Sequence, residues 1–522
     1  MNNIEHFVDI GIALSTEKNH HALLELILKR AMLFANADGG TIYSVTTDKN
    51  EQKSLVFDTV LNNSLACHLG GTSTNPIDYP NIKLFNYGKV NNSALVAIAG
   101  ATGQVINVND VYHCTEYDLT QAKIMDKRIG YHTQSVLTLP MQDHQQELNG
   151  VIQLINATDP QGKVITFEAD VVKTITALTS LAAVILTNKQ LIDEMENLFA
   201  AFSRLIASAI DRKSPYTGNH CRRVPEITML LAKACHDIDC GPLTDFNLAA
   251  EDFHELSVAA WLHDCGKVAT PEYVMDKSKK LETIFDRIEL VNARFEIAAR
   301  DITYSTKMVD KEKLNLLKQL NNDRAFINDA NTGGEFFDDD KITRVYQIAK
   351  HYKIMINGIN QAVINDDEVL NLITKRGTLT AKERQIINDH MKVTVEMLES
   401  MPFPKHLKNV PEFACGHHEK MDGTGYPKGL TRDQMSTQAR IMAIADVFEA
   451  LTSNDRPYKA PKTLSETLTI MGYMKLDNHL DPDLFDVFIQ EKVYLEFANK
   501  FLDASQIDDF DIQNIPGYQK IA

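Results

Sequence analysis

The stretch that most constrains this chain is Cys415-Gly416-His417-His418-Glu419-Lys420-Met421-Asp422-Gly423-Thr424-Gly425-Tyr426-Pro427. It puts adjacent histidines beside two carboxylates and a Gly-Thr-Gly-Tyr-Pro turn. Neutral imidazole and carboxylate are the usual ligands of zinc, iron and manganese. The glycines and the proline form a turn that cannot continue a helix. Such a stretch either fixes metal ligands beside a pocket or is a polar surface loop, and the rest of the chain has to decide.

At 522 residues the chain is too long for one core, and length alone suggests about two to four domains. A net charge of −17 argues against binding a nucleic-acid polymer or an anionic membrane surface. A small anionic substrate stays possible, because a metal centre reverses the local field. No apolar run reads as a transmembrane helix and the N-terminus carries no signal pattern, so the expectation is a cytoplasmic protein without a membrane partner. Seven irregularly spaced cysteines fit reduced thiols better than a disulfide framework.

Residues 4–35 have helical periodicity, in Phe7, Ile10, Leu14, Leu23, Leu24, Ile27, Leu28, Ala31 and Phe34. Thr41–Thr46 and Ser54–Val60 flank the polar turn Asp48-Lys49-Asn50 and read as a hairpin. Ser135–Met141 and Gly150–Asn156 read as two further strands, closed by a helix from about Phe167 to Ile185. Helix, antiparallel sheet and helix make an α+β module. With Gly103–Asp110, these strands resemble a GAF domain over about residues 5–187. That resemblance implies a small-ligand sensor or a dimerising module, with the ligand unknown. Asn156, Phe167 and Asp170 partly match a cyclic-nucleotide-type signature, although Ala157 stands where that signature has lysine.

Leu191, Met195, Leu198, Phe202, Leu205 and Ala209 then form a heptad seam in a linker helix over 188–212. It serves either a helix packed on its own chain or a parallel pair between two protomers, which would make a homodimer through the GAF domain and the linker.

Beyond Asp211 the histidines fall at telling places. His220 opens a helical pattern, His263-Asp264 ends the apolar helical run Leu256–Leu262, and Lys267 follows four residues after His263. On a helix, neighbouring His and Asp project about a quarter turn apart, so they can reach two metals with the carboxylate between them. His390 lies in a helical segment from Glu383 to Glu399, and Asp446 lies in the apolar helix Ala439–Leu451.

His263-Asp264-Cys265-Gly266-Lys267 resembles the HD phosphohydrolase signature. Together with the His417–Pro427 stretch it resembles the HD-GYP phosphodiesterases, all-helical bacterial enzymes of cyclic di-GMP turnover. The resemblance covers about 203–280 and 376–495. It implies metal ligation by His220, His263, Asp264, His390, His417, His418 and Asp446, with Asp264 bridging. It implies that Lys267 meets the scissile phosphate or the nucleophile. Arg440, Arg456 and Lys459 match basic positions around the substrate, and Asp422, Gly423, Gly425, Tyr426 and Pro427 match the turn that shapes the pocket. Glu419 is expected to support the neighbouring histidines as a hydrogen-bond acceptor.

Two divalent ions, iron or manganese, suit this mixed ligand set. Such a pair would activate a hydroxide and neutralise the phosphate oxygens. Where some members place a glutamate that binds a third metal, this chain has Tyr216, a poor ligand near neutral pH, so a two-metal site is expected. Glu449 stands where the pattern often has Asp. Residues 281–378 lengthen the interval between His263 and His390 and read as a helical insertion.

The expected architecture is multidomain: an α+β GAF domain (1–187), a linker helix (188–212), an all-α HD-GYP domain (213–495) and a C-terminal tail (496–522). The expected activity is metal-dependent hydrolysis of cyclic di-GMP to pGpG, with a second cut to GMP left open. Two alternatives stay open. One is a phosphodiesterase preferring 3′3′-cyclic GMP-AMP, and the other is a cyclic-dinucleotide receptor that does not hydrolyse.

Overall fold

A computed structural model describes residues 17, 19–49, 51–214, 219–334, 336–454 and 461–521. They divide into two compact units, one ending at Leu198 and the other beginning at Phe199.

The first unit is built on an antiparallel sheet. Its main strands are β1 (Ala37–Thr47), β2 (Lys53–Asn62), β3 (Cys67–Gly70), β4 (Ile106–Val108), β5 (Val136–Gln142) and β6 (Leu148–Thr158), in the order β3-β2-β1-β6-β5-β4. The expected hairpin is β1–β2, with Thr46 opposite Ser54, and β5–β6 pair with Leu139 opposite Ile152. Alternation puts Ile42, Leu137, Leu139, Ile152 and Leu154 on one face. There they meet Leu24, Ile27 and Leu28 of the helix His20–Ala35, and Ile175, Leu178, Ala182 and Leu186 of a second helix. Tyr43 and Val151 face the other way, against Val96 of the helix Leu95–Thr102. The first half of the expected N-terminal helix lies outside the described residues.

Asn156 does not stand ready for a ligand. It sits at φ 54°, and its side-chain oxygen accepts from the Gln134 and Ser135 amides. Its amide donates to Tyr131 Oη and to the His132 carbonyl. Phe167 is buried in the core. The partial cyclic-nucleotide signature therefore marks a loop clasp.

The helix expected over 167–185 and the linker helix are one element, Ala169–Lys213. Contrary to the sequence expectation, part of it is apolar and long enough to cross a membrane by composition, with a mean hydropathy of 1.7 over its best window. The Ile175–Leu186 part spends its apolar side chains on the sheet.

The second unit is helical around one core. Its central helices are His220–Asp237, Ala250–Leu262, His390–Glu399 and Thr437–Thr452, which share Val224, Ile227, Leu256, Ala259, Met391, Ile441 and Ile444. Residues expected to form a tail beyond 495 instead pack on this core, through Phe497, Ala498 and Ile515.

The insertion has a core of its own, including Leu281, Val291, Phe295, Ile327, Val345 and Leu372. Its helices are Ile288–Tyr304, Asp310–Asn331, Asp339–His351 and Asp366–Leu372. It departs from the expected all-helical form with the hairpin Lys353–Ile356/Ile359–Ala362. Asn357 and Gly358 adopt φ 52° and 76°, the left-handed pair that a two-residue hairpin turn requires. Its first long helix starts at Ile288, after a turn in which Glu282 and Asp286 form an isolated backbone bridge.

The ends of the insertion meet. Thr378 Oγ1 donates to the Lys277 carbonyl at 2.8 Å, and buried Lys277 Nζ binds Glu383 at 2.8 Å and Asn371 Oδ1 at 2.7 Å. An excursion that returns to its own starting point leaves the surrounding helices undisturbed.

Candidate metal centre

Helix ends, the turn after Cys415 and the middle of one helix bring the ligand types together. His220 is the first residue of its helix, His263 caps the helix Ala250–Leu262, and His390 opens the helix His390–Glu399. His417 and His418 follow the short helix Val410–Cys415, and Asp446 lies within Thr437–Thr452.

The rings are aimed by their Nδ1 atoms. His263, His390 and His417 each place Nδ1 on the carbonyl three residues earlier, that of Ala260 (2.7 Å), Ile387 (2.5 Å) and Ala414 (2.6 Å). An Nδ1–H that donates to a carbonyl leaves Nε2 as a bare lone pair, the form a metal requires. His220 does the same with a carboxylate, its Nδ1 lying 2.5 Å from Glu449 Oε2.

The Nε2 atoms converge on Asp264, whose oxygens are divided between two histidine sets. Oδ2 lies 3.2 Å from His220 Nε2 and 3.3 Å from His263 Nε2. Oδ1 lies 3.2 Å from His390 Nε2. Asp446 Oδ1 is 3.3 Å from His220 Nε2 and 4.0 Å from His263 Nε2. Two groups result, each with ligand atoms within 4.8 Å of one another: His220, His263 and Asp264, and His390, His417 and His418.

Asp264 Oδ1, His390 Nε2 and His417 Nε2 are buried without a hydrogen-bond partner. A buried polar atom left unpaired costs roughly 1–3 kcal/mol. Three of them facing one point fit a pair of divalent cations, which would satisfy all three.

The electrostatics agree. Burial alone would raise the Asp264 carboxyl, but Lys267 and His263 hold it well below the usual carboxylate range. Burial likewise opposes ionisation of Asp446, and His220 overrules it. Burial, then the neighbouring His418, push the His417 imidazole well down, and burial brings His418 to about 4. These two rings stay neutral at pH 7. His220 is pulled up against its burial by Glu449, Asp264 and Asp446.

Lys267 reaches the cluster by a different route from the one expected. The helix stops at Leu262, and Cys265–Ala269 is a 3-10 turn that folds Lys267 Nζ back to 2.5 Å from Asp264 Oδ2. Gly266 makes this turn possible. A Cβ there would lie 2.0 Å from the His390 carbonyl oxygen and 2.6 Å from the Thr394 nitrogen.

Glu419 also departs from expectation. Its buried carboxylate accepts from the amides of Lys428, Gly429 and Leu430, and so shapes the turn rather than supporting a histidine. Gly425 packs so close that a Cβ would meet Glu419 Cα and Lys420 N at 2.5 Å. Tyr426 stacks on His418 with ring centroids 4.9 Å apart. The turn is thereby pinned beside the ligands, with Pro427 after it. Gly423 takes φ 79°, and Asp422 is occupied by the Thr424 amide and hydroxyl at its exposed rim.

Arg440 stands apart from the cluster. Its guanidinium binds Asp481, Thr437 Oγ1 and the Ser436 carbonyl. Arg456 and Lys459 lie outside the described residues, as does Tyr216.

Two residues with a role here went unassigned in the sequence. Glu449 joins His220 to Arg223, whose Nε lies 2.6 Å from Glu449 Oε1 and whose Nη2 lies 2.9 Å from Ser453 Oγ. The available signal was spacing: Arg223 follows His220 by three residues and Glu449 follows Asp446 by three, so each shares a helix face with a ligand.

A model of the HD domain family matches residues 366–484, which hold His390, His417, His418 and Asp446. A probable cyclic di-GMP phosphodiesterase of Vibrio cholerae is 39% identical over 139 residues, 26% of this chain and 31% of that protein. A 3′3′-cGAMP-specific phosphodiesterase of the same organism is 36% identical over 115 residues, 22% of this chain and 24% of that one. A cyclic di-GMP phosphodiesterase of Thermotoga maritima is 32% identical over 135 residues, 23% of this chain and 35% of that one. The matched part spans about a third or less of each of these relatives. Among solved structures, the GAF domain of an Acinetobacter phosphoenolpyruvate-protein phosphotransferase is 13% identical, covers 37% of this chain and 98% of that one, and has a TM-score of 0.26.

Proposed function

We propose that the second unit is a metal-dependent phosphodiesterase of the HD-GYP type that hydrolyses cyclic di-GMP to pGpG or GMP. The observation that carries this reading is the division of Asp264 between two histidine sets, with its own Oδ1 and the Nε2 atoms of His390 and His417 buried and unpaired. Sequence similarity to the cyclic di-GMP phosphodiesterases supports the substrate class.

His220, His263, Asp264 and Asp446 would hold one divalent ion, and His390, His417, His418 and Asp264 the other, with iron or manganese suited to the mixed donors. Two such ions supply charge to a phosphodiester and lower the pKa of water between them. The Lys267 ammonium, stationed at Asp264, is placed to meet a developing negative charge on phosphate oxygen. Tyr426 and its turn wall the approach beside His418. Asp422, Gly423, Gly425 and Pro427 shape that turn. Arg440, Arg456 and Lys459 are read as basic positions around the substrate, and Arg440 pairs with Asp481.

The test is product chromatography after anaerobic metal loading. Cyclic di-GMP should give pGpG or GMP. A preparation holding both metals that gives neither would sink the reading. A second reading, preference for 3′3′-cyclic GMP-AMP, is favoured by comparable identity to relatives specific for that substrate, and side-by-side turnover decides.

The first unit is read as a GAF-type sensor of unknown ligand, in a cytoplasmic homodimer. Support for the dimer is an exposed seam on one helix. Leu191, Met195, Leu198, Phe202 and Leu205 are 50–71% exposed. Leucine recurs at every seventh residue from 191 to 205, and Asn188 falls one heptad before Met195, where a polar residue fixes the register of a parallel pair. Light scattering should give a dimer that Leu198→Glu with Leu205→Glu splits. An unchanged mass would remove the seam from the interface.

A further inference from the structure

The long helix ends against the turn that carries Lys267. Its last residue, Lys213, donates Nζ to three backbone carbonyls: Lys267 at 3.2 Å, Val268 at 2.5 Å and Thr270 at 2.6 Å. An ammonium has three donors, and here all three are used. The acceptors sit at the C-terminal end of the 3-10 turn Cys265–Ala269, where the backbone dipole is negative, and the Lys267 carbonyl also accepts the Thr270 amide at 3.1 Å. The next residue adds a second clasp, with buried Ser214 Oγ hydrogen-bonded to Asp276 beyond the same turn.

The opposite side of the turn is fixed on the helix of His390. The Gly266 amide donates to Thr394 Oγ1 at 3.0 Å, and no Cβ would fit. The turn therefore has two anchors, a rigid one on a ligand-bearing helix and an ionic one on the end of the long helix. Between them stands Lys267, whose own carbonyl Lys213 holds and whose Nζ reaches Asp264.

We propose that Lys213 is a positioning residue for Lys267. The place of the long helix's last turn sets where the Lys267 ammonium stands over the bridging carboxylate. Three contacts of 2.5–3.2 Å tie the turn to the helix end, and an axial movement or rotation larger than the flexible lysine stem can follow breaks them. Such a movement would retract the lysine while leaving His263, His390 and His417 in place, because those take their aim from carbonyls three residues earlier in their own segments. The helix end thus acts on the charge at the site and not on its metal content. The inference rests on the reading of Lys267 and Asp264 as parts of a hydrolytic site, and it deepens that reading.

The test compares full-length, manganese-loaded wild type with Lys213→Met, Lys213→Arg and the neighbouring Arg212→Met. Amide hydrogen exchange is followed in the peptide covering 265–270, together with bound metal and turnover of cyclic di-GMP and of bis(p-nitrophenyl) phosphate. Lys213→Met should quicken exchange in that peptide alone, keep wild-type metal content, and lower kcat by about 10²-fold with KM little changed. Lys213→Arg should recover most of both losses, and Arg212→Met should match wild type. Unchanged exchange in Lys213→Met overturns the inference, and so does a kcat loss that follows loss of metal or that arginine does not rescue. Should Lys213→Met fail to fold, Lys213→Gln is read in the same way. If wild type turns over neither substrate, the proposed activity falls, and the exchange measurement alone still decides whether Lys213 holds the turn.

Discussion

Two buried carboxylates, Asp126 in the first unit and Asp264 in the second, are almost equally hidden from water, at 3% and 2% exposure. Their surroundings differ in kind. Asp126 accepts from Tyr112 Oη (3.0 Å), the Thr133 amide (2.8 Å) and Thr133 Oγ1 (2.7 Å). It is a closed hydrogen-bond account, and it ties a loop to the helix Thr120–Ile129. Asp264 has lone pairs left over and faces imidazole nitrogens that also lack donors. Burial is therefore not what marks the functional carboxylate. What marks it is burial without satisfaction, among groups that only a cation could join.

The comparison can be broken by exchanging the consequences. Asp264→Ala should cut phosphodiester turnover by about three orders of magnitude or more, since groups acting as one unit fail together. Bound metal should fall with it, and elemental analysis checks this. Asp126→Ala should leave metal content and turnover intact, yet lower the unfolding free energy by about 3 kcal/mol, because three donors lose one shared acceptor. Denaturant unfolding measures it. If Asp126→Ala costs metal, or Asp264→Ala costs only stability, the distinction collapses.

Glu449→Ala should weaken metal binding by about 10–100-fold, the usual effect of removing the carboxylate behind a ligating histidine. Equilibrium metal titration is the check.

The smallest effect concerns Glu25, a buried carboxylate with its own donors. Burial would raise its carboxyl, but hydrogen bonds from Lys29 and Thr72 bring it to about 2. A folded pKa below the ordinary value stabilises the fold fully above pH 4.5, and that contribution is lost as pH falls from there towards 2. Glu25→Gln should flatten this part of the stability–pH curve of the first unit. An unchanged slope would assign the acid sensitivity to other groups.

How much of this was legible in the sequence follows the range of the interactions. The strands and the hairpin at 48–50 were legible because alternation and turn chemistry are local. His263-Asp264 and His417-His418 were legible as short runs, whereas His220, His390 and Asp446 stand alone in the sequence and meet Asp264 or one another only through the fold. Other features depend on contacts between distant segments, which no window sees. Glu419 looked like a partner for its neighbours, but three amides nine to eleven residues later claim it. Lys267 seemed one helical turn beyond His263, but Gly266 lets the chain tighten against another helix. Asn156 looked like part of a ligand signature, and the loop 131–135 uses all of its hydrogen bonds. The insertion was visible as extra length. The start of its hairpin was misread as helix because Ile354 continues the apolar pattern that begins at Ile342, and Asn357-Gly358 betrays the turn.

The central claim is that the unpaired acceptors around Asp264 are a site for two cations that the carboxylate bridges. Metal titration of the metal-free wild type and of Asp264→Ala, followed by elemental analysis, tests it most directly. Two manganese or iron ions per chain in the wild type, with at most one retained weakly by the variant, is the result predicted. No bound metal in the wild type, or the same two ions in Asp264→Ala, would contradict it.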